Sequence, residues 1–241
     1  MGLAGDHVQV LVGGYEFTGD VNRITIADAF DLNDVTAFGD AVRKYIPGLR
    51  TSVIGHDGYF NAQAGSTHPV LKGVSVKGVL SVLLGQNVAP TVGDPVYSLD
   101  GIQSRYGTLP QFDRYIPFGA LFANRAGIGG WGISLTPPTI ISATTTGSLV
   151  DNGAASLNGG AGFLHILQTT PSDTYTFIIE GSTSAGFTSP TTLATFTLTG
   201  LNLNSQRISI AGTIPQYVRY KATRTGSVGN SVKFALNLVR F

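Results

Sequence analysis

The sequence predicts a mainly β protein, with an N-terminal β-sandwich or barrel, one short helix, and a C-terminal β-sandwich. Three observations predict this class. Charged residues make up 12% of the 241 residues, about half the usual share. Val, Ile, Thr and Phe are frequent, and they favour strands over helices. Short apolar runs alternate with polar positions and end at Gly or Pro turn signals. The hydrophobic content of 42% is enough to form a core rather than a disordered chain.

Composition also excludes several classes of protein. The chain has no cysteine, which rules out disulfides and thiolate metal sites. Its N-terminus lacks a basic segment followed by an apolar one, so we expect no signal peptide and a soluble protein. The longest apolar run, Val79–Leu84, is too short to span a bilayer.

The N-terminal part is predicted to contain strands joined by short turns. Tyr15–Phe17 and Arg23–Phe30 suggest a hairpin with its turn near Gly19 and Asp20. A short helix should begin at Ser66 or Thr67, because either residue can cap it ahead of Pro69. The strand candidates are His7–Val12, Tyr15–Phe17, Arg23–Phe30, Thr51–Phe60, Val74–Val82, Val96–Tyr106, Phe112–Phe122 and Gly130–Leu135.

A long connection, Asp31–Arg50, separates two of these strands. It shows no clear secondary structure, and connections of this length are usually functional or disordered. Its apolar side chains argue against disorder. We therefore interpret it as a loop that packs on a neighbouring subunit. The residues predicted to make this contact are Leu32, Val35, Phe38, Arg43, Tyr45, Ile46 and Leu49.

Residues 124–160 are rich in Gly, Thr, Ser and Pro, which is typical of a boundary between domains. We predict one domain over residues 1–145 and a second over residues 146–241. Six short strands at sandwich-like spacing follow in the second domain. They are Phe163–Gln168, Thr174–Glu180, Leu193–Thr199, Gln206–Ile210, Tyr217–Arg224 and Val232–Phe241.

No catalytic or cofactor-binding motif is found. The four histidines do not form a metal-binding pair on a helix, and no Gly-x-Ser-x-Gly elbow is present. The glycine-rich run at residues 127–132 lacks both phosphate-binding fingerprints. The two glutamates, Glu16 and Glu180, lie far apart in the sequence, which disfavours a glycosidase. We predict a non-enzymatic protein without a cofactor or metal.

Acidic residues are concentrated near the long connection. Residues 13–40 contain six acids against Arg23 alone, a net charge of −5. Such a segment repels a nucleic-acid backbone. Asp28, Asp31 and Asp34 lack the spacing of a calcium loop. We interpret them as solvated acids rather than as metal ligands.

Several short motifs occur in a defined order along the chain. They are Thr36–Asp40 followed by Arg43, Pro47–Leu49, Gly58–Phe60, His68–Leu71, Gly101–Gly107, Gly162–His165 and Tyr217–Tyr220. In this order and spacing, the chain resembles the major tail tube proteins of long, non-contractile-tailed bacteriophages. Some members of that family carry an extra C-terminal β domain.

The resemblance implies a structural protein that assembles with itself. Hexameric rings would stack into a tube, with inner strands joined into a β-barrel around a lumen. The tube would enclose a tape-measure protein, contact tail terminator and tail-tip proteins, and pass DNA at infection. The protein would be located in the virion tail after assembly in the host cytoplasm. Asp28, Asp31 and Asp34 would then be candidates for lumen-facing acids that keep DNA from sticking.

Two other interpretations remain open from the sequence. A capsid decoration or other virion surface protein would share the low charge and the β-rich composition. A carbohydrate-binding sandwich would use aromatic side chains of the C-terminal domain, and weak contact with host-surface glycans is also compatible with a tail protein. The aromatic candidates are Tyr175, Phe177, Phe187, Tyr217 and Tyr220.

Overall fold

The computed structural model describes residues 7–73, 76–86, 88–110, 114–169, 174–199, 203–225 and 230–241. Within these ranges, 62% of residues are in strands and 3% in a helix, which confirms the prediction of a mainly β protein. The elements are β1 (Val8–Val12), β2 (Tyr15–Glu16), β3 (Val21–Asp34), β4 (Tyr45–Tyr59), α1 (Thr67–Leu71), β5 (Lys77–Leu84), β6 (Pro95–Thr108), β7 (Pro117–Asn124), β8 (Gly130–Ile141), β9 (Thr145–Thr146), β10 (Val150–Asp151), β11 (Gly160–Thr169), β12 (Thr174–Ser182), β13 (Thr191–Thr199), β14 (Asn204–Ile210), β15 (Tyr217–Thr225) and β16 (Val232–Arg240).

Eleven antiparallel strands form the first sheet. Its main path is β14-β11-β16-β8-β6-β5-β1-β2, and a branch runs from β6 through β7 and β4 to β3. The branch arises because β6 changes partner along its length. Its first residues pair with β8, and its last residues, from Gly101 to Thr108, pair with β7. The sheet therefore divides at β6 and folds back on itself.

The second sheet has the order β10-β15-β12-β13, with β9 also paired to β15. It packs on β8, β11, β14 and β16 of the first sheet. Side chains that alternate along β12 explain the contact, because every second one points inward. These are Tyr175, Phe177 and Ile179, which share one buried cluster with Phe234 and Leu236 of β16. This pair of sheets confirms the predicted C-terminal sandwich.

A separate core lies between the branch and the β1–β5 pair. It contains Ile54 of β4, Phe122 of β7, Val82 of β5 and Val10 of β1, with Leu71 of α1 closing one side. The helix itself lies at the predicted position, with Ser66 as its N-cap residue. The described chain thus forms four successive layers: the branch, the β1–β5–β6 layer, the β8–β16–β11–β14 layer and the second sheet.

A buried polar network joins the second and third layers. His165 Nδ1 lies 2.8 Å from the Gly13 carbonyl oxygen, which can only accept, so Nδ1 carries the proton. His165 Nε2 then accepts a 2.8 Å hydrogen bond from the Ser81 hydroxyl. Asn237 Nδ2 and the Ser98 hydroxyl complete the network at Ser81, at 3.1 and 2.8 Å. Burial lowers the pKa of His165 to about 4, against a smaller opposing effect of the Gly13 bond.

Strands from both sides of residue 145 pair directly, since β16 lies beside β8 in the first sheet. The division into domains at residues 1–145 and 146–241 stays a prediction. Parts of two predicted strands, at residues 74–75 and 112–113, lie outside the described residues. No helix among the described residues is long and apolar enough to cross a membrane.

Two predictions about the N-terminal region are wrong. Tyr15–Phe17 does not pair with Arg23–Phe30, because a tight turn at Gly13, with φ of 60°, returns β2 onto β1 instead. The connection Asp31–Arg50 is also half strand, over residues 31–34 and 45–50. Pairing of β3 with β4 continues to Asp34 and Tyr45, and only residues 35–44 form the turn. Alternation does not reveal these strand ends, because neither of their faces is buried.

Candidate assembly site: an exposed arm and two free strand edges

A two-stranded hairpin extends beyond the body of the protein. β7 pairs with β4 only from Val53 to Tyr59, so the first part of β4 has β3 as its only neighbouring strand among the described residues. We call residues 29–51 the arm. Six residues of β3, from Ala29 to Asp34, correspond to a projection of about 20 Å. An isolated two-stranded hairpin is only marginally stable in water, which indicates that the arm is completed by a partner.

The arm exposes apolar side chains on a scale that is unusual for a lone protein. Phe38 at its tip is fully exposed, at 115% of the reference area, and Leu49 is 80% exposed. Contiguous exposed apolar surface of this kind marks an interaction site. All seven residues predicted to contact a neighbouring subunit lie on the arm and are exposed: Leu32, Val35, Phe38, Arg43, Tyr45, Ile46 and Leu49. Phe30 and Val42 add to the same surface.

Local hydrogen bonds hold the tip of the arm in one conformation. The Asp34 carboxylate accepts from the Thr36 backbone N–H and hydroxyl, at 2.9 and 2.5 Å. Asp40 accepts from the Ala37 N–H at 2.8 Å and forms an ion pair with Lys44. These bonds lower the pKa of Asp34, through Thr36, and of Asp40, through Lys44 and then Ala37. The apolar tip is therefore preorganised without being buried, which reduces the cost of ordering it on binding.

A polar cluster anchors the arm to the body. The Asp28 carboxylate accepts hydrogen bonds from the Ser52 hydroxyl at 2.5 Å, the Tyr97 hydroxyl at 2.7 Å and Arg50 at 3.0 Å. Burial works to raise the pKa of Asp28, but these three bonds and the charge of Arg50 hold it below its ordinary value. Burial, with the charge of Asp28 adding to it, raises the pKa of Tyr97 to about 12. The cluster thus keeps Asp28 ionised and Tyr97 protonated near neutral pH.

The three predicted lumen acids occupy different environments. Asp28 lies in the anchor, Asp31 is exposed where the pairing of β3 with β4 is irregular, and Asp34 belongs to the turn. They do not form one cluster, and their facing a lumen stays a prediction. Among the described residues, no group of three His, Asp or Glu side chains is arranged to hold a metal ion.

The branch of the first sheet has two free edges. β3 pairs with β4 alone, and its other edge meets no strand in the described part of the chain. At the opposite side, β5 pairs with β6 only as far as Ile102. Residues from Arg105 to Thr108 therefore pair only with β7. Free edges of this length are templates for pairing with another chain. Sequence reasoning missed them, because they follow from the order of strands in the sheet.

The outer face of the branch carries small residues around Val53. Ile54 and His56 point into the core, so Val53 and Gly55 point outward. Ala27 and Ala123 flank Val53 on the neighbouring strands. These residues make the face flat around Val53, and longer side chains lie further along it, since Arg23 pairs with Asp57 and Leu121 pairs with Gly55.

An apolar cleft lies beside the free edge of β3. It has a volume of about 600 Å³ and opens between β3 and the β1–β5 pair. Ile24 and Ile26 line it from β3, and Val8, Val10, Val82 and Leu84 line it from the other side. The inner face of β3 is thus only half covered, which adds apolar surface next to the edge.

Catalytic chemistry has no support in the geometry of the described residues. Glu16 forms an ion pair with Lys233, and Glu180 forms one with Arg219, so the two glutamates do not meet. His56 is buried, and neither of its ring nitrogens has a hydrogen-bond partner. Burial lowers its pKa to about 4.

The aromatic side chains considered for sugar binding are mostly in the core. Tyr175, Phe177, Phe187 and Tyr220 are each no more than 8% exposed, and Arg219 covers the Phe187 ring at 4.1 Å. Tyr217 alone is half-buried. The interpretation of these residues as a stacking platform is therefore wrong. Alternation directs Tyr175, Phe177 and Tyr220 between the two sheets, and Phe187 lies in a loop beneath Arg219.

Neither a protein-family model nor a curated protein matches this chain. Solved structures do match. "Virion of native gene transfer agent (GTA) particle" matches at 14% identity and a TM-score of 0.41, over 54% of this chain and 98% of that chain. The tail of an empty GTA particle, refined with C6 symmetry, matches at 14% identity and a TM-score of 0.39, again over 54% of this chain and 98% of that chain. A third match is the SPP1 Dit (gp 19.1) protein, a hub component of the adsorption apparatus in phages infecting Gram-positive hosts. Its identity is 10% and its TM-score 0.35, over 97% of this chain and 99% of that chain. All three TM-scores are below 0.5, so these similarities carry no functional argument.

Proposed function

We propose that the protein is a structural component of a bacteriophage tail that polymerises as stacked hexameric rings to form the tail tube. The observation that carries the proposal is the combination of an exposed apolar arm with two free edges on the same four strands. The edges suit lateral association, and the arm suits association along the tube. The number six comes from the resemblance to tail tube proteins noted for the sequence.

Lateral association joins the free edge of β3 in one copy to the free edge of β6, from Arg105 to Thr108, in the next. Repetition around a ring closes the branch sheets into one barrel and removes both edges. The apolar cleft beside β3 is covered by the same contact. A closed barrel explains why a 14-residue strand can leave one edge unpaired in a single chain.

The lumen of the proposed barrel is lined by the outer face of the branch, including Ala27, Val53 and Gly55. Small side chains around Val53 leave room for DNA, while Arg23 and Leu121 lie on the same face. Asp28 points to the opposite face, toward Tyr97, so only Asp31 and Asp34 remain as lumen acids in this arrangement. Their charge repels the DNA backbone during transit.

The second sheet lies three layers away from the branch, and we place it on the outside of the tube. The partners and location implied by the resemblance belong to this proposal: a tape-measure protein inside the tube, tail terminator and tail-tip proteins at its ends, and the virion tail as the final site after assembly in the host cytoplasm. A weak glycan contact would require a surface other than the buried aromatic side chains.

Negative-stain electron microscopy of the concentrated and aged protein tests this function. Hollow tubes or stacked rings are expected. A decoration protein would instead form discrete closed trimers, with no tube under any condition, and that result would overturn the proposal. A carbohydrate-binding module would remain monomeric and bind glycans saturably.

A further inference from the structure

We propose that the arm of one copy inserts its tip into a surface at the opposite end of β4 on a second copy. This inference rests on the proposed function and names the partner surface of the arm. We call this partner surface the base surface. Its residues are Tyr59, Arg105, Leu109, Arg114 and Tyr115.

The base surface carries the second group of exposed apolar side chains in the branch. Leu109 is 64% exposed, Tyr115 is 66% exposed and Tyr59 is 41% exposed. The Tyr59 and Tyr115 rings meet edge to face with centroids 4.5 Å apart. Exposed aromatic pairs of this kind are typical anchors of protein interfaces.

A cavity adjoins these side chains. It has a volume of about 510 Å³, and Leu109, Phe118 and Pro117 form part of its wall. Arg105 and Asp57 lie at the same cavity. A fully exposed Phe38 on one copy and an apolar-walled cavity on another are the two halves of a side-chain-in-pocket contact.

Charges at the two surfaces are complementary. On the arm, Asp31 and Asp34 make no ion pair within the described residues, and Arg43 is exposed nearby. On the base surface the signs are reversed, with Arg105 and Arg114 exposed and one acid, Asp57, beside them. The arm also carries Asp40, Lys44 and Arg50, but these are held in ion pairs, Lys44 with Asp40 and Arg50 with Asp28. The remaining two acids and one base thus face two bases and one acid at the base surface, which favours this docking over contact between like surfaces.

The geometry requires a second copy. β4 runs from Tyr45 at the arm to Tyr59 at the base, and fifteen extended residues span about 45 Å. An arm therefore cannot reach the base surface of its own chain. Because the two surfaces differ and lie at opposite ends, each contact adds a copy along the strand direction and the series does not close. Head-to-tail docking of this kind builds a column of copies, as a stack of rings requires.

Cysteine cross-linking tests the contact, since the chain has no cysteine of its own. The double variant Phe38→Cys with Leu109→Cys is expected to give a ladder of covalent multimers, trimers and larger, with a short bismaleimide. Each single variant should give no ladder. The matched control joins Phe38→Cys to Leu157→Cys, because Leu157 is 77% exposed and lies outside the base surface. This control should also give no ladder.

The outcomes separate this inference from the proposed function. Tubes that form by electron microscopy without a Phe38–Leu109 ladder overturn the inference and leave the tube intact. An equal ladder in the Leu157 control overturns it as well. Absence of both tubes and ladder contradicts both proposals. A charge-reversal pair gives a second readout: Arg105→Asp should reduce polymerisation, and adding Asp31→Arg should restore it. Failure of that restoration counts against the inference.

Discussion

The Tyr97 hydroxyl donates a 2.7 Å hydrogen bond to the Asp28 carboxylate, which links the middle of the first sheet to the start of the arm. Tyr97 is fully buried and lies on β6, the strand at which the sheet divides. Ser52 and Arg50 of β4 bind the same carboxylate. The direction of the arm is thus set by a contact between residues 69 positions apart in the chain.

Asp28→Asn should weaken this anchor. The substitution removes the charge that binds Arg50 and places an amide among three donors, so the free energy of unfolding should fall by about 1–3 kcal/mol. Polymerisation should fall as well, because the arm loses its direction. Urea unfolding and electron microscopy measure the two effects. The control is Asp31→Asn, which changes an exposed acid outside the anchor and should leave stability unchanged.

Phe38→Ser should abolish polymerisation without affecting the fold. Phe38 is fully exposed, so the free energy of unfolding should change by less than about 0.5 kcal/mol. Sedimentation and electron microscopy report assembly, and thermal unfolding reports the fold. Val88→Ser replaces another exposed apolar residue, 60% exposed and outside the arm, and should assemble normally. Normal tubes from Phe38→Ser would contradict a role for the tip.

Stability should decrease as the pH falls from about 6.5 to about 4. His56 and His165 have folded-state pKa values of about 4, below the unfolded value near 6.5. The unfolded chain therefore binds more protons in this range, and each histidine contributes a loss of about 1.4 kcal/mol per pH unit between these limits. Urea unfolding at pH 7.5, 6, 5 and 4 measures the slope. A flat profile would contradict the buried, neutral state of both rings.

His56→Leu should reduce that pH dependence. His56 lies in the N-terminal core without a hydrogen-bond partner among the described residues, so an apolar side chain of similar size leaves no group unpaired. The variant should match or exceed the parent protein at pH 7 and exceed it by about 2 kcal/mol at pH 5. His165→Leu is the contrasting variant. It breaks the network at Ser81 and should destabilise the protein at pH 7, with a smaller loss at pH 5 because it also removes a buried neutral histidine.

Hydrogen exchange should detect the free edges. In the single chain, the amides of β3 and of residues 105–108 that point to the free edge have no strand partner on that side, so they should exchange quickly. Ring closure should protect both segments together. Amides of β5, which pairs on both sides with β1 and β6, should change little. Protection of the arm tip alone, without either edge, would indicate stacking without lateral strand pairing.

The strands of the body could be predicted because most of them bury one face. Buried Tyr175, Phe177 and Ile179 in β12 alternate with half-buried residues, and the sequence predicted that strand almost to its ends. β16 is an informative exception, since Ala235 and Val239 are buried as well as Phe234 and Leu236. Its second face packs on the β1–β5–β6 layer, a contact that alternation along one strand does not show.

The arm could be predicted only in part. Its apolar residues stand out among charges, and the seven residues predicted to contact a neighbouring subunit are all exposed. The contact itself stays a prediction. The strand structure of the arm was missed, because strands with both faces exposed show no period of two. The role of Asp28 was also missed, since its partner Tyr97 lies on a strand remote in sequence.

The sequence by itself determined the class of fold, the positions of most strands, the short helix and the residues of the arm. These properties follow from local composition and alternation, which are present in short windows of the chain. Only the tertiary structure decided the order of the strands, the division of the sheet at β6 and therefore the two free edges. It also decided the anchor at Asp28, the neutral network around His165 and the position of the base surface opposite the arm. The physical reason is that these features depend on pairing and packing between distant segments, which the free energy of the whole fold selects and no single segment encodes.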